Sequence, residues 1–490
     1  MNDVVLRTSS PEAQGVDVST LRALLDELDS ALDSLHSFVL VRHERLVAEA
    51  AWAPYTTTRP HTLYSVSKSF TSSAVGLAVS EGLLSVDDRI VQHFPEQAPP
   101  NVDARLLDLR VRHLLTMTTG HTEDSTDALL RTGAGDWVRT FLAQPFKADP
   151  GTTFLYDTGA SFVLSALVQK VTGQRLLDYL RPRLLDPLGI TDATWEQNPQ
   201  GIDMGGFGLS ISTRDIAAFG LMLLQGGTFR GGEVLPADWV EIATSPLVPS
   251  VGESIDWDLG YGYQFWTSTH GFRGDGMFGQ FCLVLPEDDA VIAITASLQN
   301  MQKVLDIIWH HRAALFAGAA ANAEDEGEPA TFAFEVPSPK AHPEMPFAAI
   351  DLVHYRLDAP DWPSAPDTLA LHSTPDGATM LLGYDGVESK IVYGVDEWVP
   401  STITFEGRSN VPVFARGAWV GEEEFQGRVL SAGGPHGVEH TIHFLPDDTL
   451  VWTSRDLVSF DPIVEHRATG VPYRPPVIQE PPQSGRIAAL

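Results

Sequence analysis

The chain has 490 residues, 43% hydrophobic and 9% aromatic, enough for packed domains and too long for one core of ordinary size. It carries 64 acidic against 32 basic residues, a formal charge of −32; such a surface repels nucleic acid and anionic lipid, so neither is an expected partner. The single cysteine, Cys282, excludes an intramolecular disulfide and lies in an apolar run as a small buried hydrophobe. Met1-Asn2-Asp3-Val4-Val5-Leu6-Arg7 lacks the basic and apolar blocks of a secretory signal, and no stretch of about 18 apolar residues reads as a membrane helix. A soluble, cytoplasmic protein is expected.

Residues 19–34 repeat apolar side chains at intervals of three and four, which predicts an amphipathic helix with a serine or threonine at its start. A hairpin is expected next: strand Ser37–Val41, turn Arg42–Arg45, strand Leu46–Trp52. The spacing then predicts a helix over 66–84 ending near Gly82. Further helical pieces follow at Val111–Met117, Phe162–Val171 and from Thr213 to the stop at Gly226-Gly227. Strand signals return at Gly260–Trp266, Gly279–Leu285 and Ala290–Thr295, and Val304–Trp309 opens a last helix ending near Gly318. Strands at both ends with helices between them imply an α+β domain over 1–318, an antiparallel sheet flanked by helices with a helical insert. Residues 319–346 turn acidic and then proline-rich, which marks a linker, with Thr331–Val336 as a strand inside it. From 347 to 490 helix signals almost vanish. Roughly eight short β-rich runs separated by turns such as Pro375-Asp376-Gly377 predict an all-β barrel or sandwich domain, with an irregular proline-rich tail from Pro475.

Candidate chemistry concentrates at Ser65-Val66-Ser67-Lys68. A serine hydroxyl is a weak nucleophile until a base takes its proton. A lysine three residues along a helix lies on the same face, about 5–6 Å away at Cβ, near enough for a neutral amine to accept that proton. A serine on the first turn also meets the positive end of the helix dipole and free N–H groups for an oxyanion. Leu63-Tyr64 before the motif and a helix after it supply the context such a short pattern needs. There is no zinc spacing and no Gly-rich phosphate loop, so no metal and no cofactor are expected. His113 and His121 flank the Thr116–Gly120 turn without triad or metal spacing and read as structural; His310-His311 read as cations near a helix C-terminus.

On Tyr64-Ser65-Val66-Ser67-Lys68-Ser69-Phe70-Thr71 the chain resembles the serine β-lactamase and penicillin-recognising hydrolases. It is nearest their class C-like branch of esterases, D-aminopeptidases and 6-aminohexanoate-oligomer hydrolases. Glu81–Asp88, Val111–Gly120, Leu184–Ile190 and Gly205–Ala217 extend the resemblance over about residues 10–318. It implies a β-lactamase/transpeptidase-like fold and an acyl-enzyme on Ser65 with Lys68 as base. Tyr156 matches the tyrosine of the family's second motif. Nearby positive charge would lower the pKa of such a phenol and let it relay a proton to the leaving group. Thr158 stands where that motif has asparagine; it keeps a hydroxyl for Lys68 or substrate and loses the amide. In the third motif, Gly274-Asp275-Gly276-Met277 aligns with a strand of the form Lys- or His-x-Gly, and Gly274 replaces the cation. The resemblance places Asp275 and Gly276 with Thr158 in substrate binding, and makes the N–H groups of Ser65 and Met277 the oxyanion hole. Arg273 and His270 read as solvated surface side chains. Asp157 reads equally as a group tuning Tyr156 or Lys68 and as a capping aspartate.

With the cation and the asparagine gone, a carboxylic ester or small amide is the expected substrate rather than a β-lactam. Two other readings stay open: a D-stereospecific aminopeptidase or amidase, and a catalytically idle penicillin-recognising fold used for binding. The C-terminal β domain shows no chemical motif; covering the active-site mouth and forming a homodimer are its two candidate roles.

Overall fold

The computed structural model describes residues 6–252, 254–320, 325–341, 353–362, 364–374, 377–405 and 408–474. Most of the first segment, Pro343 and Pro346 of the linker, and the tail from Pro475 lie outside the described residues. The chain divides into two compact units, Met1–Pro337 with Ala432–Pro435, and Ser338–Ser431 with His436–Leu490.

The first unit is built on one sheet. Its strands are β1 (Arg7–Thr8), β2 (Leu35–Arg42), β3 (Arg45–Ala53), β4 (Trp266–Thr267), β5 (Phe272–Gly276), β6 (Gln280–Leu285), β7 (Ala290–Ala296) and β8 (Ala330–Glu335). They run in the order β1-β3-β2-β7-β6-β5-β4, and β8 also pairs with β3. β6 and β7 are buried at every residue, which is why they read as unbroken apolar runs rather than alternating ones. The ladder is antiparallel from β3 to β4, but the edge strands run parallel to β3, Arg7 opposite Arg45 and Ala330 opposite Ala48. Part of the expected linker is therefore sheet. Its period-two pattern puts Phe334 on Trp52, with ring centroids 4.7 Å apart.

Five helices organise the rest: α1 (Val18–Ala31), α2 (Ser67–Ser80), α3 (Thr158–Thr172), α4 (Thr213–Leu224) and α5 (Gln302–Leu315). The start of α1 is set by Asp17 rather than by a serine or threonine: Asp17 Oδ1 accepts from Thr20 N at 2.7 Å. α4 packs on β2, β6 and β7, α1 packs on α5, and α2 packs on α3. α2 and α3 belong to the helical stretch inserted between β3 and β4. A small sheet of His61–Thr62, Leu209–Ile211 and Thr194–Trp195 fastens the chain just ahead of Ser65. Among the described residues no helix is long and apolar enough to cross a membrane.

Among the described residues the second unit is a sheet of ten strands, nine of which close into a barrel: β9 (Val353–Asp358), β10 (Thr368–Thr374), β11 (Gly377–Tyr384), β12 (Val387–Gly394), β13 (Val399–Phe405), β14 (Arg408–Gly421), β15 (Glu424–Ser431), β16 (Gly437–Phe444), β17 (Leu450–Asp456) and β18 (Glu465–Tyr473), with β13 paired on β14 outside the ring. They pair in the order β12-β11-β10-β9-β18-β17-β16-β15-β14-β13, and Gly394 opposite Arg416 joins β12 to β14. β9 and β18, which the eight apolar runs omit, pair with each other. Charged residues, Gly470 and Pro472 break up their apolar pattern, so only one side of each carries the core signal. Tyr355, Leu369, Met380, Tyr393, Phe425, Ile442 and Trp452 are among the residues that fill the interior.

Candidate active site

Ser65 lies just before the helix rather than in it, as the middle residue of a 3₁₀ turn, Tyr64–Val66, that runs into α2 at Ser67. Leu63 N–H donates to Leu209 O at 2.8 Å and anchors the approach. Tyr64 takes φ 48°, a left-handed conformation that a bulky residue adopts only when its surroundings impose it. Its ring meets Phe278 edge-on at 5.4 Å. α2 is buried along nearly its whole length, so its polar side chains need partners. Ser69 Oγ donates to Gln264 O at 3.0 Å, Thr71 Oγ1 donates to Gly205 O at 2.7 Å, and Ser67 Oγ accepts from Leu209 N at 3.2 Å.

Lys68, 1% exposed, extends from the first turn of α2. Its Nζ stands 2.9 Å from Ser65 Oγ, 2.8 Å from Gly206 O and 3.2 Å from Thr158 Oγ1. Burial drives its pKa down to about 7, against the opposing charges of Asp124, Asp275 and Asp157. A neutral amine has two hydrogens and one lone pair. Gly206 O and Thr158 Oγ1 are placed to take the hydrogens, which leaves the lone pair for the Ser65 hydroxyl. Residue 206 has to be glycine: a Cβ there would stand 2.7 Å from Thr158 Cγ2 and 2.9 Å from Thr158 O.

Tyr156 stacks on Trp266 at 5.4 Å, and Lys68 Nζ lies 4.9 Å from its ring centroid. The expected lowering of its pKa is overturned by these surroundings. Burial of the hydroxyl and then the Asp275 charge push the phenol well above its ordinary range; a hydrogen bond with Ser65 and the Arg273 charge offset only part of this. The phenol is therefore protonated at neutral pH, and the group with a pKa suited to a base is the Lys68 amine.

Asp157 caps α3. Its Oδ1 accepts from Gly159 N (3.0 Å), Ser125 N (3.1 Å) and Ser125 Oγ (2.7 Å), and its Oδ2 lies 3.2 Å from His121 Nδ1. Burial alone would raise this carboxyl; the bonds and charge of His121, with those of Ser125, outweigh it and hold the carboxyl below the usual range. Asp157 is thus both readings at once, a cap and a charge acting on Lys68.

β5 supplies the third segment. Gly276 packs so closely on the Ser65 turn that a Cβ would lie 2.0 Å from Leu63 O and 3.0 Å from Ser65 N. Met277 opens the tight turn to β6, and Gln280 clamps that turn: its Nε2 donates to Met277 O (3.1 Å) and Ala296 O (2.9 Å), and its Oε1 accepts from Ala296 N (3.2 Å). Space beside Gly274 is already taken, with Ser69 Oγ 2.7 Å from where a Cβ would stand. Arg273 is not a solvated side chain. It is fully buried, and its Nε donates to Asp275 Oδ2 at 2.9 Å. Its Nη1 donates to Asp256 O, Thr267 O and Ser268 Oγ and its plane lies over Trp257, while Nη2 is buried with no hydrogen-bond partner among the described residues. His270 is half-buried, edge-on to Trp309 at 5.1 Å.

The family model described as Beta-lactamase matches residues 35–315. The chain belongs to the Beta-lactamase family. It is 27% identical over 316 residues to 6-aminohexanoate-dimer hydrolase of Paenarthrobacter ureafaciens, covering 59% of this chain and 80% of that protein. It is 26% identical over 187 residues to Lovastatin esterase of Penicillium rubens, 34% of this chain and 46% of that protein. Among solved structures, the octameric penicillin-binding protein homologue from Pyrococcus abyssi matches with a TM-score of 0.50 over 92% of this chain and 100% of that one, at 16% identity, a likeness of fold.

In this Beta-lactamase family member the structure brings Ser65, Lys68, Tyr156 and Thr158 together, with Asp275, Gly276 and Met277 on the adjoining hairpin. Three participants had no signal of their own in the sequence: the Gly206 carbonyl, the Arg273–Asp275 pair and the His121–Asp157 contact. The glycine pair at 205–206 is the nearest thing to a clue, since adjacent glycines mark close backbone approach. Beside Thr158 lies a small apolar recess, with room for little more than a water molecule, lined also by Leu129, Trp137, Phe162, Met204 and Phe207. Elsewhere Glu27, His310 and His311 gather donor atoms within 4.8 Å, a set able to share a cation. They join α1 to α5 through His311 Nε2 and Glu27 Oε2, 2.7 Å apart, and include no residue of the Ser65 cluster.

Proposed function

We propose that this protein is a serine hydrolase that cleaves carboxylic esters or small amides through an acyl-enzyme on Ser65. The observation that carries this reading is the Lys68 amine, buried, with a pKa of about 7, and 2.9 Å from Ser65 Oγ. Lys68 takes the hydroxyl proton as Oγ attacks the substrate carbonyl. The N–H groups of Ser65 and Met277 receive the oxyanion. The ammonium then returns a proton through the neutral Tyr156 hydroxyl, which accepts one proton as it passes another to the departing alcohol or amine. Water enters, loses a proton to Lys68 and attacks the acyl carbon; the bond to Ser65 Oγ breaks, the acid leaves, and Oγ takes the proton back from Lys68. Thr158 holds the amine, while Asp275 and Gly276 line the acyl side. Similarity to an esterase and to a dimer hydrolase supports hydrolysis as the reaction class.

The test is Ser65→Ala. We expect hydrolysis of p-nitrophenyl butyrate to disappear, together with the fluorophosphonate adduct that intact mass finds on the wild type. A variant as fast as the wild type would sink the mechanism. Absence of any adduct on the wild type would select the idle binding fold. Turnover of D-alanine p-nitroanilide in preference to both the ester and the L-anilide would select the D-amidase.

A further inference from the structure

Arg273 and Asp275 stand two residues apart on one face of β5 and form an ion pair whose two ends are placed unequally. The guanidinium is 0% exposed. Its Nη1 donates to Asp256 O (3.0 Å), Thr267 O (3.0 Å) and Ser268 Oγ (2.8 Å), and it packs over Trp257, 4.4 Å from the ring centroid. Those contacts hold the positive end inward. The Asp275 carboxylate keeps 7% exposure and immediately precedes Gly276, the residue that abuts Ser65 N. Its charge acts on both Lys68 and Tyr156. Lys68 Nζ, 2.9 Å from Ser65 Oγ, is engaged with Gly206 O and Thr158 Oγ1.

We infer that Asp275 sets the charge preference of the Ser65 site, turning away acyl donors that carry a carboxylate in favour of uncharged ones. This rests on the hydrolase reading above and names the substrate class of the same site. Burial raises the Asp275 carboxyl, while the Arg273 charge and hydrogen bond lower it. The negative end of the pair, one residue from the Gly276 that abuts Ser65 N and in a region screened from water, repels a substrate carboxylate more strongly than it would in bulk solvent.

The experiment compares kcat/KM for p-nitrophenyl butyrate with that for the mono-p-nitrophenyl ester of glutaric acid, one neutral and one anionic. Three proteins are used: wild type, Asp275→Asn, and the double variant Arg273→Gln/Asp275→Asn. The double variant removes both buried charges, so it covers the case in which the single variant folds poorly with Arg273 left unpaired; thermal melts verify folding of all three. We expect the wild type to favour the neutral ester at least about tenfold. Asp275→Asn unmasks the Arg273 charge and should raise the anionic-to-neutral ratio about tenfold or more, with the double variant in between. A merely structural role would lower both rates without that ordering. An equal ratio in all three proteins overturns the inference and leaves the hydrolase reading standing, provided the wild type cleaves the neutral ester and Ser65→Ala does not. Failure of the wild type on both esters overturns the hydrolase reading, and this inference with it.

Discussion

Replacing Thr158 by valine removes one atom from the environment of Lys68 and little else. Valine keeps the methyl that packs on Gly206 and substitutes a second methyl for the Oγ1 that lies 3.2 Å from Nζ. A hydroxyl stabilises a buried ammonium by about 1.5–3 kcal/mol and a neutral amine by about 0.5–1.5 kcal/mol. The charged form therefore loses more, by about 1–1.5 kcal/mol, which corresponds to about one pH unit. With the wild-type Lys68 pKa at about 7, the acid limb of kcat/KM should move from there to about pH 6. The plateau should drop about tenfold, because the amine has one fewer contact to fix it. The assay is kcat/KM for p-nitrophenyl butyrate from pH 5 to 9 on both proteins. An acid limb at the same pH in both, or a wild-type profile with no limb near neutrality, would refute Lys68 as the titrating base.

Two further outcomes follow from the packing. At Gly276 an added methyl would stand 2.0 Å from Leu63 O, so Gly276→Ala must push β5 away from the Ser65 turn. We expect a loss of about 100-fold in kcat with the circular dichroism spectrum retained, and a variant within threefold of wild type would show that this approach is unimportant. Burial lowers the pKa of His61, in the first unit, and of His440, in the barrel, to about 4. The unfolded chain binds a proton at each near pH 6.5, so their contribution is complete above that pH and is lost as pH falls toward 4. The loss amounts to about 3 kcal/mol at each site. Urea midpoints should fall between pH 7 and 4.5 for both units; a flat profile would mean that these imidazoles titrate normally in the folded state.

Much of the candidate site was legible because its grammar is local. Ser65 and Lys68 are three residues apart at a helix start, so spacing relates them to backbone geometry, whereas Tyr156, just ahead of the Asp157 cap of α3, was marked only by the family resemblance. The apolar runs that became β6 and β7 were equally plain, since burial on both faces leaves no polar alternation to misread. The edge strands were harder. β8 sits in acidic, proline-rich sequence, and β9 and β18 are broken by charge, glycine and proline, because strands with a single covered face need only half an apolar pattern.

The sequence by itself determined that Ser65 and Lys68 stand three residues apart at a helix start, and its resemblance to the family marked the cation missing from the third motif. Only the tertiary structure decided their electrical state. It buried Lys68 so that the amine titrates near neutrality, and it raised Tyr156 where local reading expected the reverse. It also turned Arg273 inward and paired it with the Asp275 carboxylate, one residue from the Gly276 that abuts Ser65 N. Protonation depends on desolvation and on charges brought close from distant parts of the chain, and no local pattern encodes those distances.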